Sequence, residues 1–288
     1  MKLKGLSKIA IAGAALAATA ATLGTSTYAW YVSNVEATAT GVVAQMQDST
    51  GGSVYISKNG TKFYSSVTFT DADFNTGEAP NNLNDDLFPI TTSDGLAFTD
   101  DDNEAVTGKK LVVSMWLKAD SAITVTPRLG VTNNSTAATV AQTLYADVNN
   151  DHLSGSTMAM DAVEALRMAV VVDDAATATI YDVKSIAKNP SALANAYTTP
   201  TGFVGALTST SENASLGAAH AYYTDVTGEE PTHTTAASAT GTWANITLAA
   251  NTAKKFTFTF WLEGADTECF DSCAGQNISF LFDFVLAA

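Results

Sequence analysis

The chain has 288 residues, 46% of them hydrophobic and only 15% charged, with a formal net charge of −15. The hydrophobic share is enough to bury a core in one large domain or two small ones, and charged residues fall well below the usual quarter. Few Lys, Glu, Arg and Gln argue against a mainly helical protein, and the negative surface argues against nucleic acid as a partner.

Residues 1–29 read as an export signal. Lys2, Lys4 and Lys8 give a positive start, residues 9–23 carry no charge, and Thr27 and Ala29 offer a small-x-small cleavage site for signal peptidase. Thr19, Thr22, Gly24, Thr25, Ser26 and Thr27 dilute the apolar run, and a retained span would need about 20 predominantly apolar residues. The expected protein is therefore secreted, with residues 30–288 forming a single domain.

The mature part reads as strands. Residues 35–43 alternate small apolar with polar side chains and make a first strand. Residues 53–57 and 62–70 predict two strands joined by the Asn59-Gly60 turn. Residues 71–104 then hold ten acidic residues and no Lys or Arg, broken by Pro80 and Pro89, which predicts a long acidic loop region with short strands. Residues 109–118 place Leu111, Val113, Met115 and Leu117 on one face, and residues 123–131 align Ile123, Val125, Leu129 and Val131. Asp120 and Ser121 turn between the two, and Pro127 calls for an edge or a bulge.

The middle is less regular. Residues 136–146 and 158–167 have apolar groups at three-to-four spacing and predict short helices. Residues 167–172 and 177–183 predict a strand pair around Asp173-Asp174. Residues 187–244, rich in Ala, Thr, Ser and Asn, read as an irregular insertion. Residues 243–248, 254–263 and 278–286 return to strand, with Phe256, Phe258, Phe260 and Leu262 facing one way. The run Lys109-Lys110 to Trp116 is echoed by Lys254-Lys255 to Trp261, which suggests two comparable strands in facing sheets. The expected fold is all-β: a jelly-roll-like antiparallel β-sandwich with short helices and long loop insertions.

Few residues carry recognisable chemistry. H-E-x-x-H, G-x-S-x-G and G-x-x-x-x-G-K-[ST] are all absent, and His152, His220 and His233 are widely separated. Cys269 and Cys273 are the expected disulfide of an exported chain, with two thiols as the alternative. Asp147, Asn149 and Asp151 supply oxygens at positions 1, 3 and 5 of a calcium-type loop, but His152 and Met158 replace the Gly and Glu such a loop requires. The 71–104 stretch is a second, less specific calcium candidate. Glu263 and Asp266 stand close enough in sequence to form a carboxylate pair, in a turn where acidic residues are routine. Trp116 and Trp261 face away from Leu117 and Leu262; they are candidate ligand-facing aromatics for a glycan, unless a loop packs over them.

The segment Ala29-Trp30-Tyr31-Val32-Ser33-Asn34 leading into Val35-Glu36-Ala37-Thr38 resembles the SipW-dependent secreted proteins of Gram-positive bacteria, the group of TasA-like and camelysin-like matrix proteins. Trp261-Leu262-Glu263-Gly264-Ala265-Asp266 with Cys269 is similar to a segment of clostridial members, from which Cys273 departs. The resemblance implies a cell-surface or biofilm-matrix fibre subunit that self-associates by lending an N-terminal strand to its neighbour. Residues 35–43 would be that strand, with Val35, Ala37, Ala39, Gly41 and Val43 on its inserted face. The expectation is a structural protein without enzymatic activity or an obligatory cofactor. The alternative is a monomeric adhesin or carbohydrate-binding module that contacts the cell wall or a glycan.

Overall fold

Alternation of large apolar with small polar residues gives each long run one dry and one wet face, and the runs can bury the dry faces only against each other. The computed structural model describes residues 42–46, 53–70, 73–75, 87, 89–100, 104–138, 140–141, 145–146, 157–188, 197–203, 205, 224–225, 236–264, 266, 268–269, 273 and 276–287. The strands are, in chain order, β1 (Val42–Met46), β2 (Val54–Ser57), β3 (Ser66–Phe69), β4 (Phe74–Asn75), β5 (Pro89–Ile90), β6 (Phe98–Thr99) and β7 (Ala105–Val106). Then come β8 (Leu111–Ala119), β9 (Ile123–Asn133), β10 (Val140–Ala141), β11 (Tyr145–Ala146), β12 (Thr157–Met158), β13 (Leu166–Val172) and β14 (Thr179–Asp182). A four-residue helix, α1 (Val183–Ile186), leads to β15 (Ala187–Lys188). The chain closes with β16 (Thr224–Asp225), β17 (Ile246–Leu248), β18 (Ala253–Glu263) and β19 (Ile278–Leu286).

Two sheets form the body. One has the order β15-β9-β19-β1-β3, with β17 also on β9; the other runs β14-β13-β18-β8-β2, with β4 on β8 and β5 on β18. Most pairings are antiparallel, but β1–β19, β15–β9 and β18–β5 are parallel. The sheets meet through phenylalanines: Phe258 of β18 lies 4.6 Å from Phe282 of β19, and Phe260 lies 4.4 Å from Phe280. Trp243 packs edge-on against Phe258, Phe282 and Phe284. The protein is an all-β sandwich.

The expected strands recur, but several change partner. β8 and β9 turn at Asp120 and Ser121 as expected, yet they belong to opposite sheets. The Asn59-Gly60 turn is present, with Gly60 at φ 71° and Ile56 paired to Tyr64. The chain then leaves for the other sheet, where β3 pairs with β1. β8 and β18, expected in facing sheets, pair directly, with Trp116 opposite Lys255. One step past the paired residues the same register sets Lys110 opposite Trp261. The echo thus has a partial physical reading: Lys255 meets Trp116, whereas Lys110 Nζ lies 4.9 Å from the Phe98 ring, which packs edge-on against Trp261. Lys255 Nζ sits 5.5 Å from the Trp116 ring. Pro127 has β19 on one side, whereas β17 and β15 on the other side stop at Val125 and begin at Leu129. A residue without an N–H fits that gap.

The two predicted helices of the middle third are not there. Among the described residues α1 is the one α-helix, and residues 136–146 and 158–167 hold β10, β11, β12 and a tight turn before β13. Residues 159–170 are buried throughout, so their apolar spacing reflects burial on every side rather than a helix with one dry face. β13 and β14 form the expected pair, and Asp173 and Asp174 adopt positive φ of 51° and 55° at its turn. Short strands β4, β5 and β6 interrupt the acidic region, as expected.

Phe282 is fully buried in β19 between Phe258 and Phe260. Replacing it with alanine removes the contact both sheets share. Urea unfolding should register a loss of about 3–5 kcal/mol.

Candidate functional site: the first-strand seat and a buried carboxylate network

β1 occupies a two-sided seat. Val43 stands opposite Leu281 of β19 in parallel and opposite Thr68 of β3 in antiparallel, and the ladder runs on to Met46 opposite Phe284. Of the proposed donor residues, Val43 is in β1; Val35, Ala37, Ala39 and Gly41 lie outside the described residues. The register runs against the expected face: Val43 stands opposite exposed Thr68 and partly exposed Leu281, whereas the buried Phe69, Val67, Phe282 and Phe284 are the partners of Val42, Ala44 and Met46. Asp283 sits in register between Gln45 and Arg128. Its Oδ2 is buried without a hydrogen-bond partner. Burial pushes its pKa up, opposed by the Arg128 charge.

The second feature lies at one end of the sandwich. Arg167 of β13 is buried, with Nη1 3.2 Å from Asp182 Oδ2 and Nη2 bonded to Asp266. The same Nη1 donates to the Glu164 carbonyl at 3.1 Å. Burial alone would lower the guanidinium pKa; the charges of Asp266, Asp182, Glu263 and Glu268 outweigh it and raise the pKa instead. Trp261 Nε1 donates to Glu263 Oε2 at 3.1 Å, and Asp266 Oδ1 accepts the Glu268 amide at 2.9 Å. The Glu263 amide donates to the Ala165 carbonyl and the Gly264 amide to that of Ile90. Residues 261–264, 266, 268 and 269 therefore form a buried corner that ties the end of β18 to the start of β13 and to β5. Glu263 and Asp266, read as residues of an ordinary acidic turn, are instead buried and engaged.

A neutral-and-acidic network continues from this corner. Asp161 accepts from Asn133 Nδ2 at 2.9 Å, the Tyr197 hydroxyl at 3.0 Å and the Val163 amide at 3.2 Å. Gln276 accepts from Asn133 and from the Ala162 amide, and donates to the Met160 carbonyl. Glu164 is held by Lys184 and by Thr199 Oγ1. Burial raises the pKa of both Asp161 and Glu164 despite these donors, and it raises that of Tyr197, whose hydroxyl faces Asp161. Asn133 belongs to β9 and Arg167 to β13, so this polar end joins the two sheets.

Trp261 is 1% exposed in a small outer core with Ile90, Phe98, Ala169 and Ile180. It is therefore not ligand-facing: the segment that carries β5 and β6 covers it, with Phe98 edge-on at 5.1 Å. Trp116 is half-buried, and a Cβ at Gly60 would come within 3.1 Å of its indole nitrogen. The 57–62 turn thus packs on it, leaving part of the ring accessible. Cys269 and Cys273, expected as a disulfide, are both buried thiols in the structure. The Cys273 thiol points to the Glu268 carbonyl at 3.5 Å. Asp147, Asn149 and Asp151 lie outside the described residues.

Within the acidic stretch, Asp73 pairs with Lys58, Asp94 accepts the Leu96 and Ala97 amides, and Asp100 accepts that of Glu104. These three carboxylates close turns. Among the described residues no group of three or more His, Cys, Asp or Glu is arranged to hold a metal ion.

The Arg167 network escaped sequence reading, although one signal was present: a charge inside an apolar run of a charge-poor chain. Arg167 in Leu-Arg-Met-Ala-Val and Asp283 in Leu-Phe-Asp-Phe-Val both carry it.

Arg167→Met should cost about 3–5 kcal/mol, because it leaves Asp182 and Asp266 buried without their cation. Glu164 gives a pH test. Its folded pKa lies above the ordinary value, so the folded state holds the proton more tightly than the unfolded state. Stability therefore falls as pH rises from about 4.5 through the folded pKa. Stability measured across that window should decline less steeply in Glu164→Gln than in the unaltered protein.

Compared with protein-family models, curated proteins and solved structures, the chain matches none of them.

Proposed function

We propose that the protein is a secreted structural subunit of a cell-surface or matrix fibre, and that subunits join by exchange of the first strand. The observation that carries this reading is the placement of β1 between β19 and β3, paired on both sides inside a sheet. In the single chain its own β1 fills that seat. Seven residues, 47–53, separate β1 from β2 in the opposite sheet, so the strand is not tied to either neighbour by a tight hairpin. A neighbour's copy would present the same backbone groups and the same side chains to the same walls. Exchange of an identical element therefore costs little and yields a repeating, head-to-tail contact.

The role is structural rather than catalytic on this reading, since the buried carboxylates are held by Arg167, Trp261, Lys184 and backbone amides. The apolar, neutral run near the N-terminus supports export. The glycan-binding alternative keeps one aromatic, Trp116, on the outer face of the second sheet.

Negative-stain microscopy of protein beginning at Trp30, with and without calcium, tests the proposal. Filaments are the expected result. A companion chain lacking residues 30–46 should give no filaments, yet stay soluble and bind a synthetic peptide of residues 35–46. Uniform single particles from the longer chain under every condition would contradict the reading.

A further inference from the structure

Beside the hairpin of β13 and β14, the sandwich has an open mouth lined from both sheets that the fibre reading does not use. Its volume is about 320 Å³, within the range of small-molecule sites. The floor is apolar, made by Val170, Ile246 and Phe256, and Trp243 and Tyr181 form the walls. These walls and the floor are buried, whereas Thr179 at the rim is exposed. The Trp243 indole is fixed by edge-on contacts to three phenylalanines, so this wall is rigid rather than adaptable.

The charge in the mouth is unusual for this chain. Lys254 lines it, yet makes no ion pair among the described residues. The acidic residues of the adjacent turn are already engaged by the next lysine. Asp173 Oδ1 accepts the Lys255 amide at 2.9 Å, and Asp174 Oδ1 accepts Lys255 Nζ at 2.7 Å. In a protein of net charge −15, one unpaired ammonium thus stands beside an apolar, aromatic-walled recess. Thr179, Asn245 and Thr247 also line the recess, but the Val170, Ile246 and Phe256 floor offers a hydroxyl-rich ligand no hydrogen bond, and Lys254 repels a cation. A molecule with an apolar body and one anionic head satisfies both halves of the recess.

The geometry points to a binding site for small amphiphilic monoanions, acyl or aryl carboxylates, with the body against Trp243 and Phe256 and the head at Lys254. The site belongs to each folded subunit and goes beyond the structural role proposed above.

Octanoate, octanol and N-acetylglucosamine serve as probes, titrated into 15N-labelled protein while the indole N–H signal of Trp243 is followed (assigned with Trp243→Phe). Octanoate should shift that signal saturably, and octanol should bind about tenfold more weakly, the value of one charge contact. Lys254→Met should bring octanoate down to octanol, and Thr179→Trp, which fills the mouth from its exposed rim, should abolish both. The unchanged remainder of the spectrum shows that each variant is folded. The proposal would be overturned by no saturable shift with octanoate, by equal binding of octanol, or by a response to N-acetylglucosamine in place of octanoate. A shift that persists in Thr179→Trp would place the ligand elsewhere and overturn it equally.

Discussion

The contact between two phenylalanine rows holds this molecule together. Phe256, Phe258 and Phe260 project from β18, and Phe280, Phe282 and Phe284 project from β19, all on the faces that meet between the sheets. Each strand is central in its own sheet, β18 between β13 and β8 and β19 between β9 and β1. A slip of one residue in either would turn three aromatic rings to the outside. The rows therefore fix the registers of four neighbouring strands as well as the spacing of the sheets. Trp243 closes the same cluster from the flank, and the open mouth of the sandwich begins where its indole meets Tyr181.

At one end this apolar contact gives way to a polar one. Arg167 is held between Asp182 and Asp266, while Asn133 of β9 donates to both Asp161 and Gln276. Such a network adds little net stability over an apolar core, but breaking it is costly because each partner is left buried and charged. Its effect is to make the body rigid and specific. The exchange proposal requires a body of that kind: a framework that keeps its shape while one strand of a sheet changes owner.

Much of the framework was legible in the sequence because its strands alternate cleanly. The runs that became β8, β9, β13, β18 and β19 announce both their extent and their buried face. The partners were less legible. Nothing local distinguishes a hairpin from a crossing between sheets, so the Asp120–Ser121 turn suggested neighbours that lie in different layers, and the hairpin at Asn59-Gly60 pairs Ile56 with Tyr64 before β3 crosses to the other sheet. The Lys-Lys-to-Trp echo was visible as a pattern, but its meaning needed the antiparallel register. The region around residues 158–167 misled for a different reason: burial on all sides imitates the spacing of a helix. The Arg167 network was hidden because its members are scattered from Asn133 to Gln276, and only the fold brings them together. Trp261 reads as outward-facing by alternation, which is correct, and is nonetheless covered by a segment more than 150 residues earlier in the chain.

The central claim is that the seat between β19 and β3 can be filled by another subunit's first strand. Cross-linking across that seat tests it most directly. Val43 and Thr68 are register partners, so Val43→Cys and Thr68→Cys in one chain, with Cys269 and Cys273 changed to Ala, would report whose strand is seated. After assembly and mild oxidation, the account predicts a ladder of covalent multimers on a denaturing gel. A single band of internally cross-linked monomer would show that each chain keeps its own strand, and would contradict the account.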